Sequence, residues 1–381
     1  MGWFDFCGVW IPGVNHIDPT AWHPEARASS FFLTPELRPG WQRGAVDLLP
    51  LHYSEVPGWL ATPGRFDVLL LQLAPPDAAG QCSLSVAADF SADVLAAHAG
   101  RASVLAHINP LLPRTAGPSV PVSAISAWVE AAEPPLGLPG APADPRLATV
   151  AQQVARLIQS GDTLQFGLGR LQAAVLAALR AHQNLRVHSG MVSDGLLDLI
   201  ACGALAPRSL HAPPVCAGVA LGSPALYAAL ADPALARFAP VSFTHALATL
   251  ASLPRLVTIH SAIEIDLFGQ LHIDSLAGRQ LSGVGGLVDF ARGARASPGG
   301  RAIVAATALA GRDQRSRIVP LLGPGAVGLA RADADTVVTE WGAAQLRHLG
   351  VDDRAQALIR IADPTHQAAL TEAWHTLRRT L

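Results

Sequence analysis

The chain has 381 residues, of which 50% are hydrophobic and 15% are charged, enough for two domains with their own cores. A formal net charge of -2 and the lack of any basic run argue against nucleic acid as a partner. All 27 basic residues are arginine, so chemistry that requires a lysine, such as a Schiff base, is excluded.

The cysteines and the apolar segments predict a soluble protein of a reducing compartment. Cys7, Cys82, Cys202 and Cys216 are scattered without the C-x-x-C spacing of zinc or redox sites. No basic segment precedes an apolar one at the N-terminus, so no secretory leader is expected. The longest stretch free of Asp, Glu and Arg, residues 209–231, contains prolines and predicts a loop, a strand and a short helix. We therefore expect a cytoplasmic protein without a structural metal or a membrane span.

In the first half, the clearest element is an apolar strand over residues 68–74, followed by the D-x-x-G-Q pattern of residues 77–81. The Asp and the Gly of this pattern predict a tight turn, after which another strand begins. A proline-rich stretch, residues 133–145, then predicts a linker. The predicted domains are residues 1–140 and residues 146–381.

The second half opens with the strand–turn–helix order of an α/β domain. Apolar spacing predicts a helix over residues 148–159, and a strand is predicted over residues 163–166. The turn Gly167-Leu168-Gly169 and a helix over residues 172–179 follow. Glycine turns of this kind either close a sheet or let backbone N–H groups approach a ligand.

Glu264 is the most unusual residue of the second half. It lies among the apolar residues of segment 261–267, which predict a buried strand. Such strands rarely carry a charge, so Glu264 is either a core carboxylate paired with an arginine or a reactive group. A second glycine turn, residues 282–286, offers backbone N–H groups that can receive developing negative charge.

The D-x-x-G-Q pattern occurs twice, at residues 77–81 and 266–270, each time after an apolar strand. The repetition predicts an internal duplication with mixed sheets in both halves. In this register Pro75 occupies the place of Glu264, so only the second half carries the carboxylate. The opening strand, turn and helix of the first half would fall before Met1. The first domain is therefore expected to lack its opening βα unit, through a misplaced start or as a true variant.

At these residues the chain resembles the acetyl-CoA hydrolase/transferase family, the class I coenzyme A transferases that include 4-hydroxybutyrate CoA-transferase. The family's S/T-A-I-E-x-D-x-x-G-Q motif is matched by residues 261–270, and its S-G-x-G-G-x-x-D-F-x-R-G motif by residues 282–293. Further matches are residues 161–169, 193–195, 316–322, 331–333, 338–342 and 346–347. The resemblance implies an α/β fold of two duplicated mixed-sheet domains, with the active site in the cleft between the domains.

The resemblance also implies an enzyme that transfers CoA between an acyl-CoA and a short carboxylic acid. Glu264 would be the catalytic nucleophile, acting through a mixed anhydride and a glutamyl-CoA thioester. The expected CoA and oxyanion contacts are Gly285, Gly286, Gly342, Gly167, Gly169, Phe243, Thr244 and His245. Coenzyme A thioester and acid are substrates, no cofactor is expected to stay bound, and a homodimer or larger homo-oligomer is expected.

Two other functions remain open: acyl-CoA hydrolysis at the same glutamate, and a non-catalytic or tailoring role of the same scaffold. The chain departs from the family pattern at residues 170–172, where Arg-Leu-Gln follows the first glycine turn, and at His260, where relatives have asparagine. His260 either alters acceptor preference or is a packing change. Arg317 and Arg331 either neutralise CoA phosphates or have structural roles.

Overall fold

The computed structural model describes residues 4–137 and residues 144–380. The strands are β1 (Asp5–Gly8), β2 (Arg27–Ser30), β3 (Val46–Leu48), β4 (Val68–Leu73), β5 (Gln81–Ser83), β6 (Ser103–Ile108), β7 (Ser119–Pro121), β8 (Ala127–Glu130), β9 (Thr163–Phe166), β10 (Arg186–Val192), β11 (Val215–Ala220), β12 (Ala236–Phe238), β13 (Leu256–Ser261), β14 (Glu264–Asp266), β15 (Leu271–His272), β16 (Ser275–Leu276), β17 (Arg279–Gln280), β18 (Arg301–Ala305), β19 (Leu309–Ala310), β20 (Arg315–Ser316), β21 (Ile318–Val319), β22 (Thr336–Thr339) and β23 (Gly342–Gln345).

The α-helices are α1 (Arg38–Gln42), α2 (Val56–Leu60), α3 (Asp89–Ala97), α4 (Pro145–Ala155), α5 (Arg170–Ala178), α6 (Gly195–Ala201), α7 (Pro224–Leu230), α8 (Val241–Thr244), α9 (Leu247–Ser252), α10 (Leu287–Ala296), α11 (Val351–Arg360) and α12 (Pro364–Arg378). Short 3₁₀-helices lie at Pro19–Ala21, Tyr53–Glu55 and Val122–Ala124. Strands and helices alternate along most of the chain, so the predicted α/β class is confirmed.

The chain forms two compact units, each built from separate segments. Unit 1 comprises Met1–Tyr53, Ser261–Val288 and Ala306–Leu381, and unit 2 comprises Ser54–His260 and Asp289–Ala305. The two units are defined by their compactness, whereas the predicted domains are defined by the sequence repeat and the linker. The domains predicted at residues 1–140 and 146–381 therefore stay a prediction. Within the predicted linker, residues 138–143 lie outside the described part of the chain.

The main sheet of unit 2 has the strand order β12-β11-β10-β9-β13-β18. β9 pairs in parallel with both β10 and β13, and its register with β13 places Thr163 opposite Leu256. All four residues of β9 are buried, as are the first five of β13. Burial on both faces is the pattern of a central parallel strand.

The two helices predicted in unit 2 are present but begin earlier than predicted. Helix α4 begins at Pro145, because the side chain of Asp144 caps it by accepting a hydrogen bond from the backbone N–H of Arg146 (3.0 Å). Proline is well suited to this first helical position. Helix α5 begins at Arg170, directly after Gly169, whose φ of 133° favours glycine. The predicted order of strand, glycine turn and helix is confirmed.

Three strands of the first half have counterparts in the second half at an offset of 189 residues, the separation of Asp77 from Asp266. At this offset β2 corresponds to β11, β3 to β12, and β4 to β13. The parallel sheet β1-β2-β3 has the same strand order as β10-β11-β12.

The D-x-x-G-Q turn makes the same hydrogen bonds in both copies. In residues 266–270 the backbone N–H of the Asp donates to the Gln carbonyl (3.0 Å), and that of the Gly donates to the Asp carbonyl (2.8 Å). In residues 77–81 the same bonds measure 3.0 and 2.9 Å. The Asp carboxylate also accepts from the Gln backbone N–H in each copy, at 2.8 and 2.9 Å respectively. The turn is therefore a local structure that the sequence encodes twice.

In unit 1, the second copy of this turn connects two strands of a small mixed sheet with the order β15-β14-β21. β14 is antiparallel to β15 and parallel to β21, so the predicted mixed sheet is confirmed. Phe268 in the turn packs edge-on against Trp374 of α12, with ring centroids 5.4 Å apart. Trp374 is 1% exposed, and its indole N–H donates to Asp352 of α11 (3.1 Å). The turn is thus anchored in the core of unit 1.

Within the described residues, the helices are all too short or too polar to cross a lipid bilayer. Residues 209–231, predicted as a loop, a strand and a short helix, contain β11 and α7. The four cysteines are all thiols. A cytoplasmic location remains a prediction.

Replacing Asp266 should destabilise the protein more than replacing Asp77. The carboxylate of Asp266 is fully buried and accepts from the backbone N–H groups of Phe268 and Gln270 and from the Gln270 side chain. Asp266→Ala should therefore lower the free energy of unfolding by about 2–4 kcal/mol, because buried donors lose their acceptor.

Asp77→Ala is the matched control, since water can replace a carboxylate whose side chain is 32% exposed. Urea unfolding of both variants beside the wild type measures the difference. Equal losses would show that burial of the carboxylate does not decide the stability of this turn.

Candidate active site

Glu264 is the first residue of β14, directly opposite His272 of β15 in the antiparallel register. Its side chain is 18% exposed, whereas the following Ile265 and Asp266 are 1% and 0% exposed. The sequence predicted a buried strand, and the structure places the carboxylate at the end of that strand where it still reaches the surface. A partly exposed carboxylate is accessible to a substrate.

Within the described part of the chain, no arginine lies at ion-pair distance from the carboxylate of Glu264. Arg317 lies near it in the fold but donates from Nη1 to the backbone carbonyl of Ile263 (2.9 Å), and its own carbonyl accepts from the N–H of Ile265 (2.8 Å). Among the described residues, His272 is the one side chain at ion-pair distance from the carboxylate, with Nδ1 3.4 Å from Oε2. The core ion pair that the sequence left open is therefore not formed.

The two arginines considered for CoA phosphates have structural contacts. Arg317 fixes the backbone on both sides of Glu264, as the preceding bonds show. The guanidinium of Arg331 lies over the ring of Phe268, 5.6 Å from its centroid. Both observations favour structural roles of these arginines over phosphate binding.

His272 is the site residue that sequence reasoning missed. Its side chain is 0% exposed, and within the described residues neither ring nitrogen has a hydrogen-bond partner. Space for the ring comes from Gly325, where a Cβ would lie 3.1 Å from Nε2. The sequence did contain a signal for it, because the D-x-x-G-Q turn pairs Asp266 with Gln270 and therefore sets Glu264 opposite His272.

The second glycine turn packs against the N-terminal segment within unit 1. A Cβ on Gly283 would overlap the carbonyl oxygen of Phe31, so glycine is required there for packing. Gly285 has a φ of 63°, and its carbonyl accepts from the N–H of Tyr53 (3.3 Å). Gly286 immediately precedes α10. Contacts of Gly285 and Gly286 with CoA or an oxyanion are untested and remain predictions.

Gly342 begins β23 and faces Thr339 of β22 in an antiparallel hairpin. Its φ of 141° is a conformation that favours glycine. Beside it, the carboxylate of Glu340 accepts from the backbone N–H of Ala308 (2.7 Å), so this glutamate is held in unit 1. The backbone requirement explains a glycine at this position, and a substrate contact is again a prediction.

Gly167 and Gly169 form the turn between β9 and α5 in unit 2. A Cβ on Gly167 would meet nothing within 4 Å, so packing does not require glycine at this position. A Cβ on Gly169 would lie 2.8 Å from the side-chain oxygen of Gln172. At Gly167 the lack of a side chain therefore leaves space for a ligand to approach the backbone. A role of Gly167 in binding is still a prediction.

Phe243, Thr244 and His245 lie at helix α8 and its C-terminal end. Phe243 is 36% exposed, whereas Thr244 and His245 are 0% and 3% exposed. The Thr244 carbonyl contacts Nε2 of His188 (3.0 Å), and the His245 ring packs on Phe290 with centroids 4.6 Å apart. Burial lowers the pKa of His245 to about 3. Of the three predicted CoA contacts, Phe243 presents the most surface; none of the three is tested.

His260, near the end of β13, is 7% exposed. Burial lowers its pKa to about 3, so the imidazole is neutral at physiological pH. These observations favour a packing role of His260 over an effect on acceptor preference. No group of three or more potential metal ligands occurs within the described ranges.

The titration of His260 should make the stability of the protein depend on pH. Its pKa in the folded state, about 3, lies below the usual histidine value of about 6.5, so protons bind the unfolded chain preferentially. The folded state should therefore lose stability as pH falls from about 6.5, by up to about 1.4 kcal/mol per pH unit from this group.

The comparison of wild type with His260→Asn measures this contribution. Urea unfolding at about pH 7, 6 and 5 should show a shallower loss in the variant. The control is His375→Asn, at an exposed position of α12, which should follow the wild type. Parallel curves for the wild type and His260→Asn would contradict the expectation.

Comparison with known proteins decides the family. Residues 222–374, which include Glu264, match the acetyl-CoA hydrolase/transferase C-terminal domain. The chain is 36% identical over 354 residues to 4-hydroxybutyrate coenzyme A transferase of Clostridium kluyveri, across 90% of this chain and 81% of that protein. The chain belongs to the acetyl-CoA hydrolase/transferase family.

Two further comparisons support the same assignment. Succinyl-CoA:cyclohexane-1-carboxylate CoA transferase of Geobacter metallireducens is 32% identical over 382 residues, across 98% of this chain and 86% of that protein. The structure of 4-hydroxybutyrate CoA-transferase from Porphyromonas gingivalis superimposes with a TM-score of 0.78 at 29% identity, covering 99% of this chain and 94% of that chain.

A more distant relative is acetyl-CoA hydrolase of Saccharomyces cerevisiae, 28% identical over 228 residues, or 55% of this chain and 39% of that protein. The predicted fold class and enzyme family are confirmed.

Proposed function

We propose that this enzyme transfers coenzyme A between an acyl-CoA and a short carboxylic acid, with Glu264 as the nucleophile. The observation that carries the proposal is the state of the Glu264 carboxylate: it is partly exposed and, among the described residues, has no arginine partner. A carboxylate neutralised by an arginine would be a poor nucleophile, whereas this one keeps its electron density for attack. Named relatives that are CoA transferases support the same reaction.

In the first half-reaction, a carboxylate oxygen of Glu264 attacks the carbonyl carbon of the thioester. The C–S bond breaks, a mixed anhydride forms, and CoA leaves as the thiolate. The thiolate then attacks the glutamyl carbonyl of the anhydride. The acyl group departs as a free carboxylate and leaves a glutamyl-CoA thioester.

In the second half-reaction, the incoming carboxylate attacks the glutamyl thioester carbonyl and expels the thiolate, which forms a new anhydride. The thiolate attacks the acyl carbonyl of this anhydride, so the new acyl-CoA is released and the Glu264 carboxylate is restored. Each step exchanges one activated acyl bond for another, so no external energy source is required. Each tetrahedral intermediate carries an oxyanion, for which one well-placed donor contributes about 3 kcal/mol. Backbone N–H groups at Gly285, Gly286 and Gly342 are the proposed donors.

Removal of the Glu264 carboxylate should abolish both adduct and turnover. Wild-type protein incubated with an acyl-CoA should gain the mass of CoA less one water, as read by intact-protein mass spectrometry. Glu264→Ala and the near-isosteric Glu264→Gln should form no adduct, and CoA exchange should fall by at least about a thousandfold, since the nucleophile is lost.

Glu372→Gln is the matched control, because it changes an exposed glutamate of α12 and should keep the adduct. An adduct that persists in Glu264→Ala would place the nucleophile elsewhere. A wild type with neither adduct nor exchange would contradict the proposal altogether.

Hydrolysis of acyl-CoA is the second candidate, because acetyl-CoA hydrolases are among the more distant relatives. In that reaction, water instead of CoA thiolate or an acceptor acid attacks the anhydride or the glutamyl thioester. Incorporation of labelled acetate into acyl-CoA, compared with thiol release in the absence of any acceptor, separates the two. Thiol release without acceptor that is as fast as exchange would favour hydrolysis.

A further inference from the structure

We propose that His272 is a positioning residue for Glu264, and that its Nδ1–H donates to Oε2 of the carboxylate during the reaction. The inference rests on the proposed role of Glu264 as nucleophile. It adds to the site a residue that lies outside both family motifs, residues 261–270 and 282–293.

The backbone fixes the two side chains opposite each other. Glu264 and His272 are register partners of β14 and β15, and the N–H of Ile263 donates to the carbonyl of His272 (2.9 Å). Directly opposed residues of an antiparallel pair have Cβ atoms about 5 Å apart, within reach of a side-chain contact. The observed Nδ1–Oε2 distance of 3.4 Å is a few tenths of an ångström longer than a formed hydrogen bond. A small rotation of either side chain closes that gap.

Packing alone does not account for a histidine at this position. The ring is fully buried, and neither nitrogen is hydrogen-bonded within the described residues. Burial of unsatisfied polar atoms destabilises a protein, and an apolar side chain would avoid that cost. The nearby hydroxyl of Ser275 is bonded to the backbone of Ala326 at 3.0 and 3.2 Å instead. The Glu264 carboxylate is therefore the acceptor that the structure offers to this imidazole.

The surrounding backbone also indicates which nitrogen carries the proton. Nε2 points towards Gly325, where a Cβ would be 3.1 Å away, and Nδ1 points towards Glu264. A neutral imidazole has one protonated and one unprotonated nitrogen. We assign the proton to Nδ1, because the carboxylate oxygens can only accept when ionised.

Such a donor would act at each stage of the proposed reaction. In the free enzyme it holds Oε2, so that Oε1 is the oxygen that attacks the thioester. When CoA thiolate attacks the glutamyl carbonyl, Oε2 becomes the oxyanion of the tetrahedral intermediate, and the same N–H stabilises it. The proton stays on Nδ1 throughout, so His272 exchanges no proton with the substrates.

The test compares His272→Leu, which removes the donor, with His272→Asn, whose amide nitrogen takes the position of Nδ1. His272→Leu should lower kcat about tenfold to a hundredfold, while KM for acyl-CoA changes by less than about threefold, because binding contacts are untouched. His272→Asn should restore kcat to within about threefold of the wild type. The thermal midpoint of His272→Leu should equal or exceed that of the wild type, since a buried unsatisfied group is removed.

Two kinetic outcomes would overturn the inference. One is a His272→Leu variant whose kcat stays within about twofold of the wild type. The other is an equal loss of kcat in both variants together with lower thermal midpoints, which would mean that the ring only fills space.

A spectroscopic measurement separates this inference from the proposed function. In ¹⁵N-labelled protein, the His272 ring signals are assigned by their loss in His272→Asn, and Nδ1 should be the protonated nitrogen. Glu264→Gln should shift the Nδ1 signal. Protonation at Nε2 instead would overturn the inference even in a fully active enzyme. Wild type with the expected tautomer but without CoA exchange would contradict the proposed function and leave the Glu264–His272 contact intact.

Discussion

The antiparallel pairing of β14 with β15 is the interaction on which the candidate site depends. It places Glu264 opposite His272, and the turn between the strands is closed by the buried carboxylate of Asp266. Arg317 binds the backbone immediately before Glu264 and holds β21 alongside. A carboxylate fixed in this way loses little conformational freedom when a substrate arrives, and such preorganisation is a main source of catalytic rate.

The charge of a carboxylate at the end of a buried strand must be stabilised by neighbouring groups or by solvent. Which of these stabilises it decides how reactive the carboxylate is. A paired arginine would stabilise the carboxylate of Glu264 and also make it inert. Here the guanidinium of Arg317 donates to a backbone carbonyl. The side chain of Glu264 is 18% exposed and lies beside the imidazole of His272.

The repeated turn separates features of the scaffold from features of the proposed chemistry. The D-x-x-G-Q turn has the same hydrogen bonds in both copies, so the scaffold is encoded twice. At the offset of 189 residues, Pro75 stands in the place of Glu264 and Ser83 in the place of His272. The first copy therefore lacks both the carboxylate and the imidazole, and only the second can carry the proposed reaction.

The sequence by itself determined the α/β class, strand β9, the glycine turn before α5 and the two D-x-x-G-Q turns. These features follow from local rules: an aspartate bonds to backbone within four residues, and glycine alone adopts a positive φ without strain. The family motif around Glu264 was also recognisable from the sequence alone. Only the tertiary structure decided that Arg317 binds backbone, and that Thr244 and His245 are buried. Each of these depends on strand register or on packing between segments far apart in sequence, where a shift of one residue would turn every side chain to the other face.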